Sequence, residues 1–199
     1  MGIQNAVKEW AGVVNALGEG NQLVIVRRYP PRTNDLLLYP TFNYYNSHKT
    51  ERASFDEKFQ PAFSERAWIA GKYAMERGQK ECLVDVDYWA HVDEVLSVQD
   101  QTPWKLLSPF FIWSSEHVEN YAKGSKTGNV LLWILRVQKL PKTLVLGRIA
   151  QGGPPDFYKH HETIDTTGSK PVLRDAEYEE RKAQILKITG KKGLSVSKS

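Results

Sequence analysis

Cysteine is almost absent from this sequence, because Cys82 is the single thiol among 199 residues. One cysteine excludes an internal disulfide and a zinc site built from cysteines, and it is typical of a reducing cytoplasm. Long apolar runs are also missing, since no stretch approaches the ~20 residues that cross a bilayer. The chain begins MGIQNAVKEW, without the basic start and apolar middle of a signal peptide. We therefore expect a cytoplasmic protein that makes no use of the membrane.

Several motifs that would indicate an enzyme are absent as well. The sequence has no glycine-rich phosphate loop, no Gly-x-Ser-x-Gly around a nucleophilic serine and no His-Glu-x-x-His zinc motif. Cys82 falls on the apolar side of an alternating stretch, which argues against a nucleophile. These absences favour a protein without a cofactor and leave enzymatic activity an open alternative.

Positive charge is concentrated at the C-terminal end. The formal net charge is +4, but residues 181–199 hold six basic groups and no acid, which leaves 21 basic and 23 acidic residues elsewhere. A basic end of this kind contacts nucleic acid or an acidic partner, or else it is a solubilising tail.

Two stretches give the clearest strand signals, and the first of them predicts the centre of a sheet. Asn129–Val137 is a nearly unbroken apolar run, as in a strand buried on both faces, and Pro141 is expected to stop it. Glu81–Val98 alternates between an apolar and a mostly polar side, with a bend expected near Tyr88–Ala90 because so long a strand is unusual. Thr143–Arg148 is predicted as a further strand.

The remaining patterns complete an α+β domain. Trp10–Leu17 and Gln22–Tyr29, joined by Gly-Glu-Gly-Asn, predict a hairpin. The other predicted elements are the short strands Leu36–Tyr39 and Phe110–Trp113, helices between Ser54 and Gly78, the helices Ser115–Lys123 and Asp175–Ile188, and loops over Gln151–Pro171. The fold expected is a mixed, mostly antiparallel sheet with helices on one side, divided into a domain (1–173), a C-terminal helix (174–190) and a basic disordered tail (191–199).

A first candidate site consists of polar residues of one parity on the alternating stretch: Asp85, Asp87, His91 and Asp93. Carboxylates two residues apart on a strand point the same way, and Mg²⁺ or Mn²⁺ binds oxygen ligands placed like this. Metal-assisted hydrolysis of phosphodiesters uses such pairs. The alternative function is therefore a nuclease-like, metal-dependent phosphodiesterase with Asp85 and Asp87 as metal ligands. A solvated strand face produces the same pattern.

A second candidate is Lys159-His160-His161-Glu162, with Asp165 nearby, in the predicted loop. Adjacent histidines bind zinc where about three protein ligands share a rigid frame. An exposed loop and a pH-sensitive contact remain the alternatives.

A third candidate combines basic and aromatic side chains from the end of the predicted hairpin and the segment after it. Arginine and lysine meet phosphates, and exposed tyrosines stack on unpaired bases. The alternative is that the tyrosines cover the core. The predicted nucleic-acid-binding residues, with two lysines of the tail, are Arg27, Arg28, Arg32, Tyr44, Tyr45, Lys49, Arg52, Lys191 and Lys192.

Four blocks lie in order between Val7 and Pro141: VKEWAGVVNALGEGNQLVIVRR, LLLYPTFNYYN, SPFFIWSSEHVENY and LLWILRVQKLP. Their sequences and order resemble the prokaryotic family catalogued as domain of unknown function 1802. The Lys-Glu-Trp and Leu-Tyr-Pro-Thr motifs are the most specific parts. Past Leu146 the chain departs from the pattern, because it lacks a Gly-Cys-x-Ser-Trp segment. The resemblance implies a single intracellular prokaryotic domain and supplies no catalytic residues.

We therefore expect a non-enzymatic binding or accessory protein that contacts nucleic acid. The phosphodiesterase is the first alternative, and a subunit that acts through protein contacts within a larger complex is the second.

Overall fold

The computed structural model describes residues 2–41, 83–99, 103–125, 129–147 and 157–190. The helices expected between Ser54 and Gly78 lie outside the described residues. Four predicted nucleic-acid-binding residues between Tyr44 and Arg52 also lie outside them. The same holds for the tail, which contains Lys191 and Lys192.

The described strands form one sheet. They are β1 (Gly2–Trp10), β2 (Val24–Arg27), β3 (Asp35–Thr41), β4 (Leu83–Gln99), β5 (Asn129–Gly147), β6 (Phe157–Asp165) and β7 (Lys170–Pro171). Their order is β2-β5-β4-β3-β1-β6, and β7 pairs with β5. β1 and β3 run parallel, whereas every other pairing is antiparallel. The predicted mixed, mostly antiparallel sheet is confirmed.

Strand β5 holds the interior position that its apolar run predicted, between β2 and β4. Trp133 and Ile134 are fully buried in it. The expectation that Pro141 ends the strand is wrong, since β5 continues to Gly147. Pro141 lies where the register with β4 shifts, because Lys139 pairs with Tyr88 and Leu144 is the next residue that pairs. A shift of this kind tolerates a residue without an amide hydrogen. The separate strand expected from Thr143 is the end of β5.

Strand β4 contains the irregularity that its length predicted. Its register with β5 shifts between Val86 and Tyr88 and again between Val92 and Glu94. Even-numbered residues from Val84 to Val98 are buried, apart from Tyr88, which is half-buried, so the predicted apolar side is confirmed.

Within the described ranges, four helices and a 3-10 turn at Ser108–Phe110 accompany the sheet. The helices are α1 (Ala11–Gly18), α2 (Trp104–Leu107), α3 (Ser115–Lys123) and α4 (Asp175–Thr189). The predicted hairpin is wrong, because its first half is α1, which buries Val13, Val14 and Leu17. The short strand expected at Phe110–Trp113 is also absent, and Phe110 ends the 3-10 turn.

All four helices contribute to one large core. Buried residues of each join a cluster with β2, β5 and parts of β3 and β4. The expected placement of all helices on one side of the sheet stays a prediction. A smaller cluster, including Ile3, Leu37, Tyr39 and Val86, forms elsewhere along β1, β3 and β4. In the described ranges, no helix combines the length and apolar character needed to cross a bilayer.

Helix α4 belongs to this packing and follows its predicted bounds closely. Tyr178 and Ile185 are buried in the large cluster. The helix ends at Gly190, whose φ of +63° is the left-handed conformation that glycine adopts readily at a helix end.

Candidate functional site

A cleft of about 160 Å³ opens where β1, β2 and α3 meet. We call it the aromatic cleft. Four aromatic rings and an ion pair account for most of its lining, which comprises Glu9, Trp10, Val26, Arg27, Trp113, His117, Val118 and Tyr121. A second pocket, beside Leu17, Leu135 and Tyr178, is much smaller, at about 10 Å³.

An ion pair between β1 and β2 is part of the cleft wall. Nη2 of Arg27 lies 2.6 Å from Oε2 of Glu9, and both side chains are nearly buried, with exposed fractions of 11% and 4%. Arg27 also donates to the carbonyl oxygens of Lys8 and Val26. Burial alone would lower the pKa of Arg27, but the neighbouring Glu9 carboxylate more than offsets this and raises it. Arg27 is therefore a permanently charged, fixed group.

Two hydrogen bonds from neighbouring residues hold Glu9 in place. Its Oε1 accepts a hydrogen bond from the amide of Trp10 at 2.7 Å. Its carbonyl oxygen accepts one from the hydroxyl of Thr41, at the end of the neighbouring β3. Trp10 is the residue at which β1 passes into α1, so this turn of the chain fixes both Glu9 and its aromatic neighbour.

Helix α3 supplies the opposite wall of the cleft. The hydroxyl of Ser114 caps the helix by accepting a hydrogen bond from the amide of His117. His117 and Tyr121 are four residues apart and hence share one face of the helix. The ring of His117 stacks on Trp113 at 6.3 Å and lies 5.7 Å from the ring of Trp10. Burial lowers the pKa of His117, so its imidazole is neutral around pH 7.

Two exposed arginines stack on aromatic rings beside the cleft. The guanidinium of Arg28 lies 4.2 Å from the centre of the Tyr121 ring, and that of Arg32 lies 5.1 Å from Phe157. Arg28 also donates to the Tyr121 carbonyl oxygen at 2.6 Å. Tyr29, between the two arginines in sequence, packs against Phe157 at 5.6 Å. These contacts hold both charges at the solvent side of the end of β2. Arg28, Arg32, Tyr121 and Phe157 are called the arginine edge below.

The structure thus separates the predicted basic residues. Arg28 and Arg32 are exposed, as a phosphate contact requires. Arg27 has its charge compensated inside the protein by Glu9, which the sequence reasoning did not anticipate. Tyr44, Tyr45, Lys49 and Arg52 lie outside the described residues, as do Lys191 and Lys192.

The acidic candidate residues are not assembled into a site. Asp85 is exposed. Asp87 accepts a hydrogen bond from Thr143, and His91 Nδ1 lies 2.7 Å from Asp35. Asp93 accepts hydrogen bonds from Tyr178 and Lys182 of α4, at 2.9 and 2.6 Å.

The register of β4 explains this separation. Asp87 and Asp93 lie at its two register shifts with β5, so the four side chains do not extend from one regularly paired stretch of the strand. Over the described residues, no three His, Cys, Asp or Glu side chains are grouped in a way that could hold a metal ion. The structure therefore gives no support to the phosphodiesterase alternative.

The paired histidines lie on a strand, since the predicted loop is β6 over Phe157–Asp165. Nδ1 of His160 accepts a hydrogen bond from the amide of Glu162, and the two imidazole rings stack at 4.3 Å. His160 is buried and His161 is exposed, so the pair does not face a common ligand.

Sequence reasoning missed most of the aromatic cleft. Trp10, Trp113, His117 and Tyr121 were not singled out as site residues. Their signal was present, however, because all four lie in the blocks that carry the family resemblance, and a helix cap at Ser114 precedes a His and a Tyr four residues apart. What the sequence did not show was that β1, β2 and α3 meet.

Comparisons with known proteins identify a family and a weak structural likeness. The model of the family described as "Domain of unknown function (DUF1802)" matches residues 6–184, which extends the resemblance past the four blocks into α4. No protein with a curated description matches the chain significantly.

The crystal structure of ASCH from Zymomonas mobilis gives a TM-score of 0.44 at 13% identity, covering 93% of this chain and 94% of that one. Crystal structures of two single-residue variants of the same protein give TM-scores of 0.42 and 0.44 at 13% and 12% identity. They cover 93% and 90% of this chain and 95% and 96% of their own. A likeness at this level carries no information on function.

Proposed function

The chain belongs to the family described as Domain of unknown function (DUF1802), and we propose that it is a non-enzymatic accessory protein that binds nucleic acid. The single observation that carries the proposal is the arginine edge, in which exposed guanidinium groups are stacked on aromatic rings beside an open cleft. The single cysteine is in keeping with a cytoplasmic location.

The chemistry of this edge suits a phosphate backbone. Guanidinium groups donate several hydrogen bonds in one plane, a geometry that matches phosphate oxygens. Stacking restrains Arg28 and Arg32 before a ligand arrives, so less side-chain entropy is lost on binding. The carboxylate nearest to them in the cleft, that of Glu9, is already paired with Arg27. Each exposed arginine can therefore serve as one phosphate contact.

Salt dependence tests the proposal directly. We expect the protein to bind a fluorescein-labelled oligonucleotide with an affinity that falls steeply with salt, measured by fluorescence anisotropy. Substitution Arg28→Ala should weaken binding and reduce the slope of log K against log salt by about 0.7 to 1, the contribution of one phosphate contact.

Arg174→Ala provides the matched control. Arg174 is exposed at the start of α4, so its substitution removes the same charge at a different place. If both variants lose affinity equally, net charge rather than the arginine edge would account for binding. If the unmodified protein binds no oligonucleotide at low salt, the proposal is wrong and the protein-contact alternative becomes the better one.

A further inference from the structure

We propose that the aromatic cleft takes up one unpaired base of a single-stranded nucleic acid. The inference rests on the proposed function and names the part of the ligand that is recognised. It assigns a binding role to Trp10, Trp113, His117 and Tyr121, which is separate from the phosphate contacts of the arginine edge.

The size of the cleft limits what it can hold. Its volume of about 160 Å³ is below the roughly 300–1,000 Å³ of pockets that bury drug-sized ligands. The cleft is partly open to solvent, so a group can enter while remaining attached to a chain outside. One planar ring system on a flexible backbone meets both conditions.

The walls offer flat surfaces to such a ring. Trp10, His117 and Tyr121 line the cleft and are each partly exposed. Every base has a π-face, and stacking on aromatic side chains is the usual way that proteins hold unpaired bases. His117 is neutral around pH 7, because burial lowers its pKa. It therefore stacks without the cost of desolvating a charge.

The polar groups of the wall favour a base over an apolar ring. Nε of Arg27 and Nε1 of Trp113 are buried donors for which the described residues provide no acceptor. A base carries ring nitrogens or carbonyl oxygens that can accept from such groups. Because both donors are covered, an acceptor reaches them only after a side chain of the wall moves. In a duplex the base edges are paired and stacked, so the ligand must be an unpaired base.

Arg28 is placed to contact the phosphate backbone of the nucleic-acid strand whose base enters the cleft. Its guanidinium stacks on Tyr121, and the ring of Tyr121 is itself part of the cleft wall. A base between Tyr121 and Trp10 would leave its phosphate on the side where Arg28 lies. The cleft and the arginine edge then bind one nucleotide together.

The test compares three labelled oligonucleotides of equal length by fluorescence anisotropy: an intact single strand, a strand whose bases are replaced by abasic sites, and a duplex. We expect the intact strand to bind about tenfold more tightly than the abasic strand, as one stacked base provides. The duplex should bind no better than the abasic strand. A nucleoside monophosphate is added as competitor, to distinguish a free nucleotide from a base within a strand.

His117→Ala should bring binding of the intact strand down to the level of the abasic strand and leave abasic binding unchanged. His161→Ala is the matched control, since His161 is exposed on β6, and it should change neither. Should His117→Ala fail to fold, Trp113→Phe removes a cleft donor while keeping a ring. Its control is Trp133→Phe, which removes an equally buried and unpartnered donor outside the cleft lining.

The outcomes separate this inference from the proposed function. Equal binding of all three oligonucleotides would overturn the cleft as a base site and leave the phosphate contacts standing. Equal loss in the His117→Ala and His161→Ala variants would also overturn it. Displacement of the intact strand by stoichiometric amounts of the monophosphate would show that the cleft serves a free nucleotide instead. Binding of none of the oligonucleotides would overturn both proposals.

Discussion

Arg27 shows why the candidate site could be predicted only in part. Its neighbours in sequence, Arg28 and Arg32, are exposed as expected, whereas Arg27 turns inward to an acid eighteen residues earlier. Composition identifies a basic cluster, but the pairing of one member with Glu9 depends on β1 and β2 approaching each other. The aromatic rings of the cleft were missed for the same reason, because they come from segments that meet only in the fold.

The Glu9–Arg27 ion pair leads to a stability prediction at this scale. Glu9→Ala leaves a buried guanidinium without its counter-charge, and breaking such a pair costs about 3 kcal/mol of unfolding free energy, at the low end of the usual range since Arg27 keeps its two carbonyl contacts. Urea denaturation monitored by tryptophan fluorescence measures the loss.

Two further variants distinguish the ion pair from a general effect of truncation. Glu180→Ala removes an exposed acid of α4 and should change the unfolding free energy by less than about 0.5 kcal/mol. The double change Glu9→Ala with Arg27→Ala should cost less than the sum of its single changes, by about 1 kcal/mol or more. Additive effects would mean that the two charges do not stabilise each other.

Elements with a strong local signal were predicted well. Apolar content identified β5, alternation identified β4, and capping residues placed α3 and α4 within a residue or two of their observed bounds. Elements whose secondary structure depends on the segments they pack against were predicted poorly. α1 carries the β-branched Val13 and Val14 and was taken for a strand, but six of its eight residues are buried against the rest of the protein.

Strand β6 was missed for the opposite reason. Its residues are mostly polar, and all except His160 are at least partly exposed. It is a strand because its backbone pairs with β1, at one end of the described sheet order. Such a strand lacks the alternation of apolar and polar residues, so its sequence cannot be distinguished from that of a polar loop.

The attachment of α4 to β4 gives a prediction with a pH dependence. Burial would raise the pKa of Asp93, but hydrogen bonds from Lys182 and Tyr178 outweigh it, and the pKa is lowered. The stabilisation from Asp93 is therefore complete above its unfolded pKa of about 3.9 and is lost as pH falls through the folded value. For Lys182 burial would lower the pKa, yet Asp93 and Glu94 raise it. Its contribution is lost only above about pH 10.5.

Asp93→Asn should accordingly reduce the unfolding free energy by about 1 to 2 kcal/mol at pH 7, the worth of a partly exposed, charge-assisted hydrogen bond. The difference from the unmodified protein should shrink as the pH is lowered towards 3. Urea denaturation at a series of pH values measures both quantities. Asp85→Asn is the control, because Asp85 is an exposed acid of the same strand. A difference that stays constant across this pH range would show that the Asp93 charge does not hold α4.

At the scale of the whole molecule, positive charge is unevenly distributed along the sequence. The residues before 181 carry two more acids than bases, so the attraction to a polyanion does not come from the protein as a whole. We propose that it comes from two sources, the arginine edge and the lysine-rich end of the sequence. The proposed division into a domain of residues 1–173, the helix 174–190 and the tail 191–199 assigns these two sources to different parts of the chain.

Truncation after Gly190 separates the two sources. It removes three lysines and lowers the formal net charge from +4 to +1. We expect weaker binding to every oligonucleotide and a smaller salt slope, since counterion release scales with the number of phosphates neutralised. The ratio of intact-strand to abasic-strand affinity should stay the same, because base uptake depends on the aromatic cleft. Anisotropy titrations of the full and shortened chains at several salt concentrations measure the slope and the ratio. If truncation abolishes binding at low salt, the tail is the binding element and the arginine edge has no independent role.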